Sequence, residues 1–575
     1  MTAFRSIPEW VKSNADRNPD RLIFTYADEI GKTVSTLTCR EVYENALRIA
    51  HALKVEHGLK KGDRVVLVYP PGLEFVEAML ACLLLGIVPA PVSPPWPLRP
   101  EAGLPGYTGI ALDCRAAAQL TCRRYSRTRT FGRVLGALGN APKWPDLPWI
   151  VTDPPGPKAL DPSEIVYPSA DDVAFLQYTS GSTRAARGVC VTFGNIHHQT
   201  VLTREELGLG RPDSVALFWM PHFHDFAMIG GIFNALVGNH HYVSFSAAGF
   251  LRRPALWGEL IHRFRATHIG APDFGYWLFA RNTTDEQRAG WDFRPLVAAI
   301  CAAEPIRVRT IEAFTAAFSR SGMRPEAFCP SYGLAEHTVA VTLFGKKRFR
   351  KKLDGRKEEV ELIGCGRIAP SVHVEIVDPA TGVSVPRGEA GEVWVDSASK
   401  ASGYFGQPEN SAAKFRANLR GSEREWLRTG DLGLILGPPD GEELVILGRM
   451  DDMITFRGRN LYPQDAEMIV AESDSRVRAG RVIAFGVPAV EEDENQFVVL
   501  IELKEGADGE EDMRQVSQAA RALLLQELGL PHPTLVYVPR GTIPKTSSGK
   551  LQRSKARKEW QSGKMPVLRT DRGLG

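Results

Sequence analysis

The chain has 575 residues, of which 43% are hydrophobic and 24% are charged, and its formal net charge is +3. This length exceeds what one hydrophobic core supports, so a single-domain protein is excluded and two or more domains are expected. The composition is that of an ordinary globular protein. The small net charge gives no basis for a nucleic acid partner, and none is predicted.

Cysteine usage and apolar windows bear on the cellular location. Eight cysteines are spread along the chain without a Cys-x-x-Cys pair, so we expect reduced thiols in a cytoplasmic protein. The first ten residues lack the continuous apolar core of a secretory signal. The most apolar window, Ala78–Val88, is too short to span a bilayer. Integral membrane association is therefore not predicted.

The first half of the chain alternates helical and strand patterns. An amphipathic pattern predicts a helix over residues 37–57, followed by the strand Arg64–Tyr69 and the apolar helix around Ala78–Val88. The alternation recurs after residue 170, with a helix at Asn195–Thr203 and a strand at Ser214–Trp219. Such alternation predicts the α/β class, with doubly wound parallel or mixed sheets that carry helices on both faces.

A second pattern begins near residue 365. Short strands with alternating apolar residues, such as Val372–Val377 and Gly391–Val395, mark a change from the preceding pattern. We therefore predict a small β subdomain over about residues 365–447. It belongs to a large N-terminal domain that comprises residues 1–447.

A third pattern follows Gly448. The strands Arg481–Gly486 and Gln496–Leu503 surround a helix of about residues 511–527, which indicates a compact α+β unit. We predict that residues 448–575 form a small C-terminal domain. Its charged, glycine-containing tail, from about residue 563 to the end, is expected to be flexible.

A polar turn follows the apolar run Val173–Leu176. The segment Tyr178–Val189 is rich in hydroxyl groups and glycine, and the backbone N–H groups of such a turn can bind a polyphosphate. It is not a Walker loop, because the pattern Gly-x-x-x-x-Gly-Lys followed by Ser or Thr is absent. The segment therefore predicts a phosphate-binding loop of a different design.

Further motifs follow this loop in a fixed order. They are Pro221–Phe226, Ala303–Pro305, Ser331–Glu336, Arg428–Gly433, Gly448–Ile454 running into Gly458–Glu467, and finally Ile543–Gln552. Together with the loop, they resemble the adenylate-forming superfamily, which includes acyl-CoA synthetases, luciferases and peptide-synthetase adenylation domains. The resemblance covers about residues 5–560. It implies a large domain with a small mobile C-terminal domain, ATP as a substrate, and Mg²⁺.

The resemblance also implies which residues bind the nucleotide. They are Thr179, Ser180, Gly181, Ser182, Thr183, Arg187, Ala303, Glu304, Pro305, Ser331, Tyr332, Gly333, Leu334, Ala335, Asp431 and Arg449. Among these, the Tyr332 ring would stack on adenine and Asp431 would accept hydrogen bonds from both ribose hydroxyls. Thr183 and Glu336 would hold Mg²⁺, a hard cation that prefers carboxylate and phosphate oxygens.

Adenylation brings a carboxylate to a triphosphate, and both are anions, so the site must supply positive charge. By resemblance, Lys550 is the catalytic cation that reaches the carboxylate and the α-phosphate together. The neighbouring Lys545 is expected to be a surface charge. His224 is a second candidate and would lie beside the acyl pocket. Asp451 matches the hinge on which the C-terminal domain turns.

Three segments resemble the fatty acyl-AMP ligase branch. They are Phe175–Thr183, His224-Asp225 followed by Ile229-Gly230, and Gly458–Glu467. Members of this branch convert a fatty acid and ATP into an acyl-adenylate. They pass the acyl group to the phosphopantetheine thiol of an acyl carrier protein, so a fatty acid and a carrier protein are the implied partners. Candidate walls of the acyl pocket are Trp219, Met228, Ile232, Phe274 and Tyr276.

The sequence leaves open whether a carrier protein or CoA accepts the acyl group. The branch usually has an insertion after the Ser331–Glu336 motif that keeps the C-terminal domain from a CoA-using pose, and the segment before Cys365 is short for it. That segment contains the basic run Lys346–Lys352, which could dock an acidic carrier protein, hold the 3′-phosphate of CoA, or be solvated. An acyl-CoA synthetase, a catalytically silent nucleotide- or lipid-binding scaffold, and an aryl or amino acid adenylating enzyme remain alternatives.

Overall fold

The computed structural model describes residues 3–98, 103–136, 143–179, 187–352, 359–456, 459–488, 495–546 and 549–572. Two sheets of mainly parallel strands build the N-terminal part, and largely antiparallel sheets build the rest. No helix within these ranges combines the length and the apolar character needed to cross a bilayer.

The first parallel sheet has four strands. Their order is Val88–Pro91, Arg64–Val68, Ala118–Thr121 and Trp149–Val151. The helix Glu74–Leu85 is buried along its whole length after Glu74. A helix that is apolar on every side belongs in the interior. It ends at Gly86, whose left-handed conformation closes the last turn.

The second sheet has seven strands and carries the site. Their order is Phe328–Pro330, Ala298–Cys301, His268–Ala271, Val215–Phe218, His241–Ser244, Leu22–Ala27 and Thr33–Thr38. All neighbours are parallel except the last pair. The predicted α/β class is confirmed by these two sheets. Parallel strands with buried faces read as continuous apolar runs, which is why the sequence revealed them.

The helix predicted over residues 37–57 begins later than expected. It comprises Cys39–His51 and continues as the π-helix Ala52–Glu56, because the preceding residues form the edge strand of the large sheet. Thr38 and Glu41 form a capping box, in which each side chain accepts a hydrogen bond from the other residue's backbone N–H. The boundary is therefore decided by strand pairing and by the cap.

The remaining elements of the N-terminal part are connectors and outer layers. The helices are Ile7–Arg17, Leu104–Asp113, Arg123–Gly136, Phe193–Leu207, Asp225–Ala227, Asn234–Gly238, Ala247–Arg252, Ala255–Phe264, Asp273–Arg281, Asp285–Ala289, Val308–Phe318 and Pro408–Phe415, with the π-helix Met228–Phe233 and the 3₁₀ turns Pro162–Glu164, Pro325–Ala327, Ala335–His337 and Met450–Asp452. Two small antiparallel pairs join Val173–Thr179 with Arg187–Thr192 and Tyr332–Gly333 with Ala340–Thr342.

The strands of the predicted β subdomain pair antiparallel. Its strands follow the order Val383–Ser384, His373–Asp378, Gly391–Asp396, Glu425–Leu436 and Ala417–Asn418, and Glu443–Arg449 also pairs with Glu425–Leu436. One hydrophobic cluster joins Val374, Val393 and Ile435 of this sheet to Tyr332. The subdomain is thereby packed directly against the nucleotide motif of the large sheet.

The C-terminal unit has cores of its own. Its strands are Val477–Pro488, Asn495–Leu503, Thr534–Tyr537 and Arg569–Asp571, with the short pair Ile454–Phe456 and Arg459–Leu461. Its helices are Pro463–Ser473, Glu510–Leu523, Arg553–Gln561 and the π-helix Leu524–Leu528. Two hydrophobic clusters lie entirely between Ile454 and Met565, which agrees with a separate folding unit.

The tail from residue 563, which we expected to be flexible, contains a short strand. Arg569–Asp571 forms an edge strand that pairs antiparallel with Thr534–Tyr537. Arg521 donates a hydrogen bond to the Asp571 carboxylate at 2.8 Å. Backbone pairing and this ion pair hold a segment whose polar composition alone indicated disorder.

Candidate active site

The candidate site lies at the carboxyl edge of the seven-stranded sheet. Four neighbouring strands end there and lead into Trp219, Asp273, Ala303 and Ser331. Because the carboxyl ends of parallel strands meet at one edge, motifs that are far apart in the sequence come together. The Ser331–Glu336 motif and the acyl-pocket candidates therefore share one face of the molecule.

Tyr332, Asp431 and Arg449 form one connected group. The Tyr332 hydroxyl donates to Oδ2 of Asp431 at 2.6 Å, and Nη1 of Arg449 lies 3.2 Å from Oδ1. A carboxylate accepts about four hydrogen bonds, so Asp431 keeps acceptor capacity for two hydroxyls. The three residues that the resemblance assigns to adenine and ribose are thus brought together.

The electrostatics of this group follow from burial. Burial raises the pKa of Asp431, and the Arg449 guanidinium opposes this shift. The charge of Asp431 in turn raises the pKa of Arg449. Burial and the nearby Asp431 carboxylate both raise the pKa of the Tyr332 hydroxyl, which therefore stays a hydrogen-bond donor. The group is a preorganised hydrogen-bonding surface.

At two backbone positions near the Ser331–Glu336 motif, the local conformation is compatible with few residue types. A Cβ on Gly333 would lie 1.7 Å from the carbonyl oxygen of Val339, so only glycine permits this strand contact. Ala303 has a φ of +75°, a left-handed conformation that non-glycine residues rarely adopt. Such strain is concentrated at functional sites, and it supports a role for the Ala303–Pro305 segment. Ser331, Leu334 and Ala335 complete this wall, and the Ser331 hydroxyl donates to the carbonyl of Cys329.

Glu336 is held by a residue that the motifs do not include. The Tyr404 hydroxyl donates to Oε1 of Glu336 at 2.9 Å, and the Arg187 guanidinium lies over the Tyr404 ring at 5.0 Å. Within the described residues, no group of three His, Cys, Asp or Glu side chains is arranged to hold a metal. A lone carboxylate fits Mg²⁺ that is bound mainly by nucleotide phosphates.

Of the predicted phosphate loop, the structure describes only the two ends. Thr179 is the last residue of one strand, and Arg187 begins the strand that pairs with it. Ser180, Gly181, Ser182 and Thr183 lie outside the described residues. Their role as phosphate ligands, and that of Thr183 toward Mg²⁺, stay predictions.

The segment that carries Lys550 packs onto Phe274. A Cβ on Gly549 would lie 3.2 Å from the Phe274 ring, which places Gly549 directly against this side chain. Burial opposes ionisation of Asp225, but the charge and hydrogen bond of His224, together with the charge of Lys550, lower its pKa overall. The positive charge of Lys550 thus favours the ionised form of Asp225.

His224 and Asp225 form a tight pair. Nδ1 of His224 lies 2.6 Å from Oδ1 of Asp225, and both side chains are largely buried. His222 is different, because it packs on the Phe75 ring and burial lowers its pKa to about 3. His222 is thus a core histidine, whereas His224 and Asp225 face the lysine loop.

Lys545 is not the surface charge that we expected. Burial and the charge of Arg481 together lower its pKa to about 8, although the charge of Glu304 opposes this shift. Glu304 accepts a hydrogen bond from the backbone N–H of Phe274 at 2.6 Å. Lys545 therefore lies at the boundary between the domains, where Arg309 also pairs with Glu472.

Aromatic side chains surround the predicted acyl pocket. Trp219 stacks on Phe250 with ring centroids 4.2 Å apart, and its edge contacts Phe274 and Trp257. We call these four residues the aromatic cluster. Met228 and Ile232 are buried on the π-helix that follows Asp225.

Tyr276 is buried next to the aromatic cluster. Its ring packs on Trp257 with centroids 5.4 Å apart and also on Phe314 and Phe328. Its hydroxyl donates to the carbonyl of Ile300 at 2.9 Å. Its assignment to the acyl pocket stays a prediction.

The hinge candidate Asp451 lies in the 3₁₀ turn Met450–Asp452, directly after Arg449. Its neighbour Asp452 accepts a hydrogen bond from Arg553 at 2.8 Å, and Glu467 accepts two from the same guanidinium at 2.7 Å each. This triad ties the hinge turn to the segment that carries the lysine loop. The motif residue Glu467 is thus explained as a structural anchor.

The basic run forms part of a β-hairpin. Arg348–Lys352 pairs antiparallel with Glu359–Ile363. Phe349 and Leu362 pack on a cluster formed by Leu434, Val445 and Leu447, and Tyr462 of the C-terminal unit packs on the same cluster. The segment that seemed short for an insertion is therefore a folded element close to the hinge.

Sequence reasoning missed four side chains that shape the site. They are Tyr404, which holds Glu336, Phe250 and Trp257 of the aromatic cluster, and Lys414, which donates to the carbonyl of Thr429 at 2.8 Å. None of them lies in a recognised motif. For Lys414, the available signal was its place on a helix just before the Arg428–Gly433 motif.

The chain matches the family described as AMP-binding enzyme over residues 11–405. It is 34% identical to the medium-chain-fatty-acid–(acyl-carrier-protein) ligase JamA of Moorena producens, over 94% of this chain and 93% of that protein. It is also 34% identical to the long-chain-fatty-acid–AMP ligase FadD26 of Mycobacterium marinum, over 97% of both chains.

Solved structures share the whole architecture. The fatty acyl-adenylate ligase of L. pneumophila in complex with acyl adenylate and pyrophosphate superposes with a TM-score of 0.71 at 29% identity, over 99% of this chain and 98% of that one. A structure from a study of fatty acyl-adenylate ligases of E. coli and L. pneumophila gives a TM-score of 0.83 at 28% identity, over 97% and 98%.

Proposed function

Since the chain belongs to the AMP-binding enzyme family, we propose that it is a fatty acyl-AMP ligase. It uses ATP to convert a fatty acid into an acyl-adenylate with release of pyrophosphate. It then transfers the acyl group to the phosphopantetheine thiol of an acyl carrier protein. The observation that carries this proposal is that Tyr332, Asp431 and Arg449 form one connected group, while Gly549, next to Lys550, packs on Phe274 of the aromatic cluster.

In the first half-reaction, a carboxylate oxygen of the fatty acid attacks the α-phosphorus of ATP, and the bond to the pyrophosphate oxygen breaks. Lys550 brings the two anions together and stabilises the charge on the pentacovalent phosphorus. The hydroxyl-lined group of Tyr332, Asp431 and Arg449 orients adenine and ribose. Mg²⁺, when bound at Glu336, supplies further neutralisation of the phosphates.

In the second half-reaction, the thiol sulfur attacks the acyl carbonyl carbon and loses its proton, and AMP leaves with the oxygen of the mixed anhydride. Lys550 and the loop on Phe274 occupy one side of the site during adenylation. The C-terminal domain must therefore move before the thiol can reach the carbonyl. Asp451, at the turn between the two domains, is the proposed pivot.

A proline at the pivot separates the two half-reactions. We expect Asp451→Pro to reduce thiol transfer more than adenylate formation, because a fixed φ restricts the rotation and leaves the adenylation pose in place. Single-turnover adenylate formation and transfer from preformed adenylate to the carrier protein measure the two steps. Equal losses in both steps would place the pivot elsewhere.

Two observations favour a carrier protein over CoA as the acceptor. JamA is named as an acyl-carrier-protein ligase. In addition, the hairpin Arg348–Lys352 with Glu359–Ile363 shares a hydrophobic cluster with Tyr462, so it is placed to limit the poses of the C-terminal domain. Lys346, Arg348, Arg350 and Lys352 are exposed on this hairpin, and their charge complements an acidic carrier.

The acceptor is tested by a competition. The enzyme is incubated with ATP, a panel of carboxylates, and either holo carrier protein or CoA, and the products are identified by mass spectrometry. We expect fatty acyl-adenylates with every suitable chain, acyl transfer to the carrier, and little acyl-CoA. Abundant acyl-CoA would instead support the acyl-CoA synthetase, and adenylates of only aryl or amino acids would reassign the substrate.

The silent-scaffold alternative makes a different prediction. A scaffold would bind nucleotide or lipid without exchanging pyrophosphate into ATP with any carboxylate. The joint presence of Glu336, Asp431 and Lys550 in the chain supports catalysis, with Glu336 held by Tyr404 and Asp431 held by Tyr332. The cytoplasmic location of the protein stays a prediction.

A further inference from the structure

A lysine outside the recognised motifs lies within the nucleotide site. Lys414 is on the helix Pro408–Phe415, and its Nζ donates to the backbone carbonyl of Thr429 at 2.8 Å. Burial lowers its pKa, Arg449 adds to this effect, and the carboxylates of Glu336 and Asp431 oppose it. The charges of Glu336 and Asp431, the two acids that the proposed function assigns to the nucleotide site, therefore influence the pKa of Lys414.

Two cations converge at Gly430. This residue has a φ of +77°, and a Cβ built on it would lie 3.5 Å from Nη2 of Arg449 and 3.6 Å from Nζ of Lys414. The two cationic groups therefore lie close together on the same side of Gly430. An anionic oxygen between them would accept hydrogen bonds from both.

The backbone around Gly430 is held by other contacts. Glu392 accepts a hydrogen bond from the N–H of Gly430 at 3.1 Å and is itself bound by Arg428 at 2.9 and 3.0 Å. The Thr429 hydroxyl donates to the carbonyl of Val393 at 2.7 Å. The Thr429–Asp431 turn therefore does not depend on Lys414 for its shape. The ammonium has three N–H donors, and Thr429 uses one of them.

Resting on the proposed function, we propose that Lys414 is a fixed cation of the nucleotide site that binds the phosphate of ATP and of the acyl-adenylate. It differs from Lys550 in its location. Lys550 belongs to the C-terminal domain and leaves when that domain turns, whereas Lys414 belongs to the large domain. Lys414 therefore acts in both half-reactions, and Lys550 acts in the first.

The test compares AMP with adenosine, which differ by the phosphate alone. Calorimetry measures both dissociation constants for the wild type and for Lys414→Met, Lys414→Gln and Lys414→Arg. Methionine removes charge and donor, glutamine removes the charge and keeps a donor, and arginine keeps both. We expect methionine and glutamine to weaken AMP binding about tenfold or more, as for loss of a charge-assisted hydrogen bond. Adenosine binding stays within twofold, and arginine retains AMP affinity.

A lysine that binds the same strand supplies the matched control. Lys400 donates to the carbonyl of Glu425, at the start of the strand Glu425–Leu436 that also carries Asp431. Its ammonium therefore lies several residues along this strand from Asp431. Lys400→Met is expected to leave AMP affinity unchanged. Equal weakening of AMP and adenosine by Lys414→Met, or AMP affinity of the wild-type level in Lys414→Gln, would overturn the proposal.

The half-reactions give a second readout. When preformed acyl-adenylate is supplied with the holo carrier protein, Lys414→Met should slow acyl transfer, and Lys550→Ala should not. Unchanged transfer in Lys414→Met would contradict a role in both steps. If the wild type forms no adenylate from any carboxylate, the proposed function fails, while the comparison of AMP with adenosine still decides the charge role of Lys414.

Discussion

Replacing Lys550 with alanine is expected to slow acyl-adenylate formation about 10²- to 10³-fold, which corresponds to about 2.7–4 kcal/mol of lost transition-state stabilisation. The loss arises because no other group of the C-terminal domain is proposed to bring positive charge to the attacking carboxylate. Single-turnover formation of the adenylate, followed by mass spectrometry, measures the effect. ATP affinity should change little, because Asp431, Arg449 and Tyr332 remain in place.

A nearby lysine separates this effect from a general loss of charge. Lys555 is exposed and pairs with Glu559 one helical turn away, so Lys555→Ala should keep the wild-type rate. Turnover of the wild-type level in Lys550→Ala would remove this lysine from the mechanism. A parallel loss of ATP binding would indicate a role in nucleotide affinity instead of catalysis.

Replacing Arg553 with methionine is expected to destabilise the C-terminal domain by about 3–5 kcal/mol, as for a broken buried ion pair. The change leaves the carboxylates of Glu467 and Asp452 without their cation, and these side chains are only 6% and 11% exposed. Urea unfolding of the full chain should show an earlier transition. Hydrogen exchange should locate it in residues 459–572.

An exposed arginine of the same domain is the control for this change. Arg514 pairs with Glu511 within one helical turn, and its side chain is 54% exposed. Arg514→Met should alter the free energy of unfolding by less than about 1 kcal/mol. If Arg553→Met unfolds at the same urea concentration as Arg514→Met, the triad does not hold the hinge turn to the lysine segment.

Much of the fold could be predicted from local sequence patterns. An apolar run of strand length predicted the strand at Arg64, and the helix near residue 511 was also predicted from its local pattern. Helix boundaries were harder to predict, because strand pairing and the Thr38 cap decide where the helix at Cys39 begins. The edge strand Arg569–Asp571 has too little apolar content to be recognised, and its partner lies more than thirty residues earlier.

The candidate site likewise combines features that local patterns reveal with features that depend on contacts between distant residues. The class of chemistry could be predicted from the sequence alone, since the ordered motifs with Glu336, Asp431 and Lys550 are short runs whose spacing can be read along the chain. Packing of distant segments was needed to show that Tyr276 lies in the core, that Lys545 is half-buried, and that Lys414 and Arg449 lie on the same side of Gly430. The physical reason is distance along the chain: such contacts depend on how helices, strands and domains pack, and no local pattern records that packing.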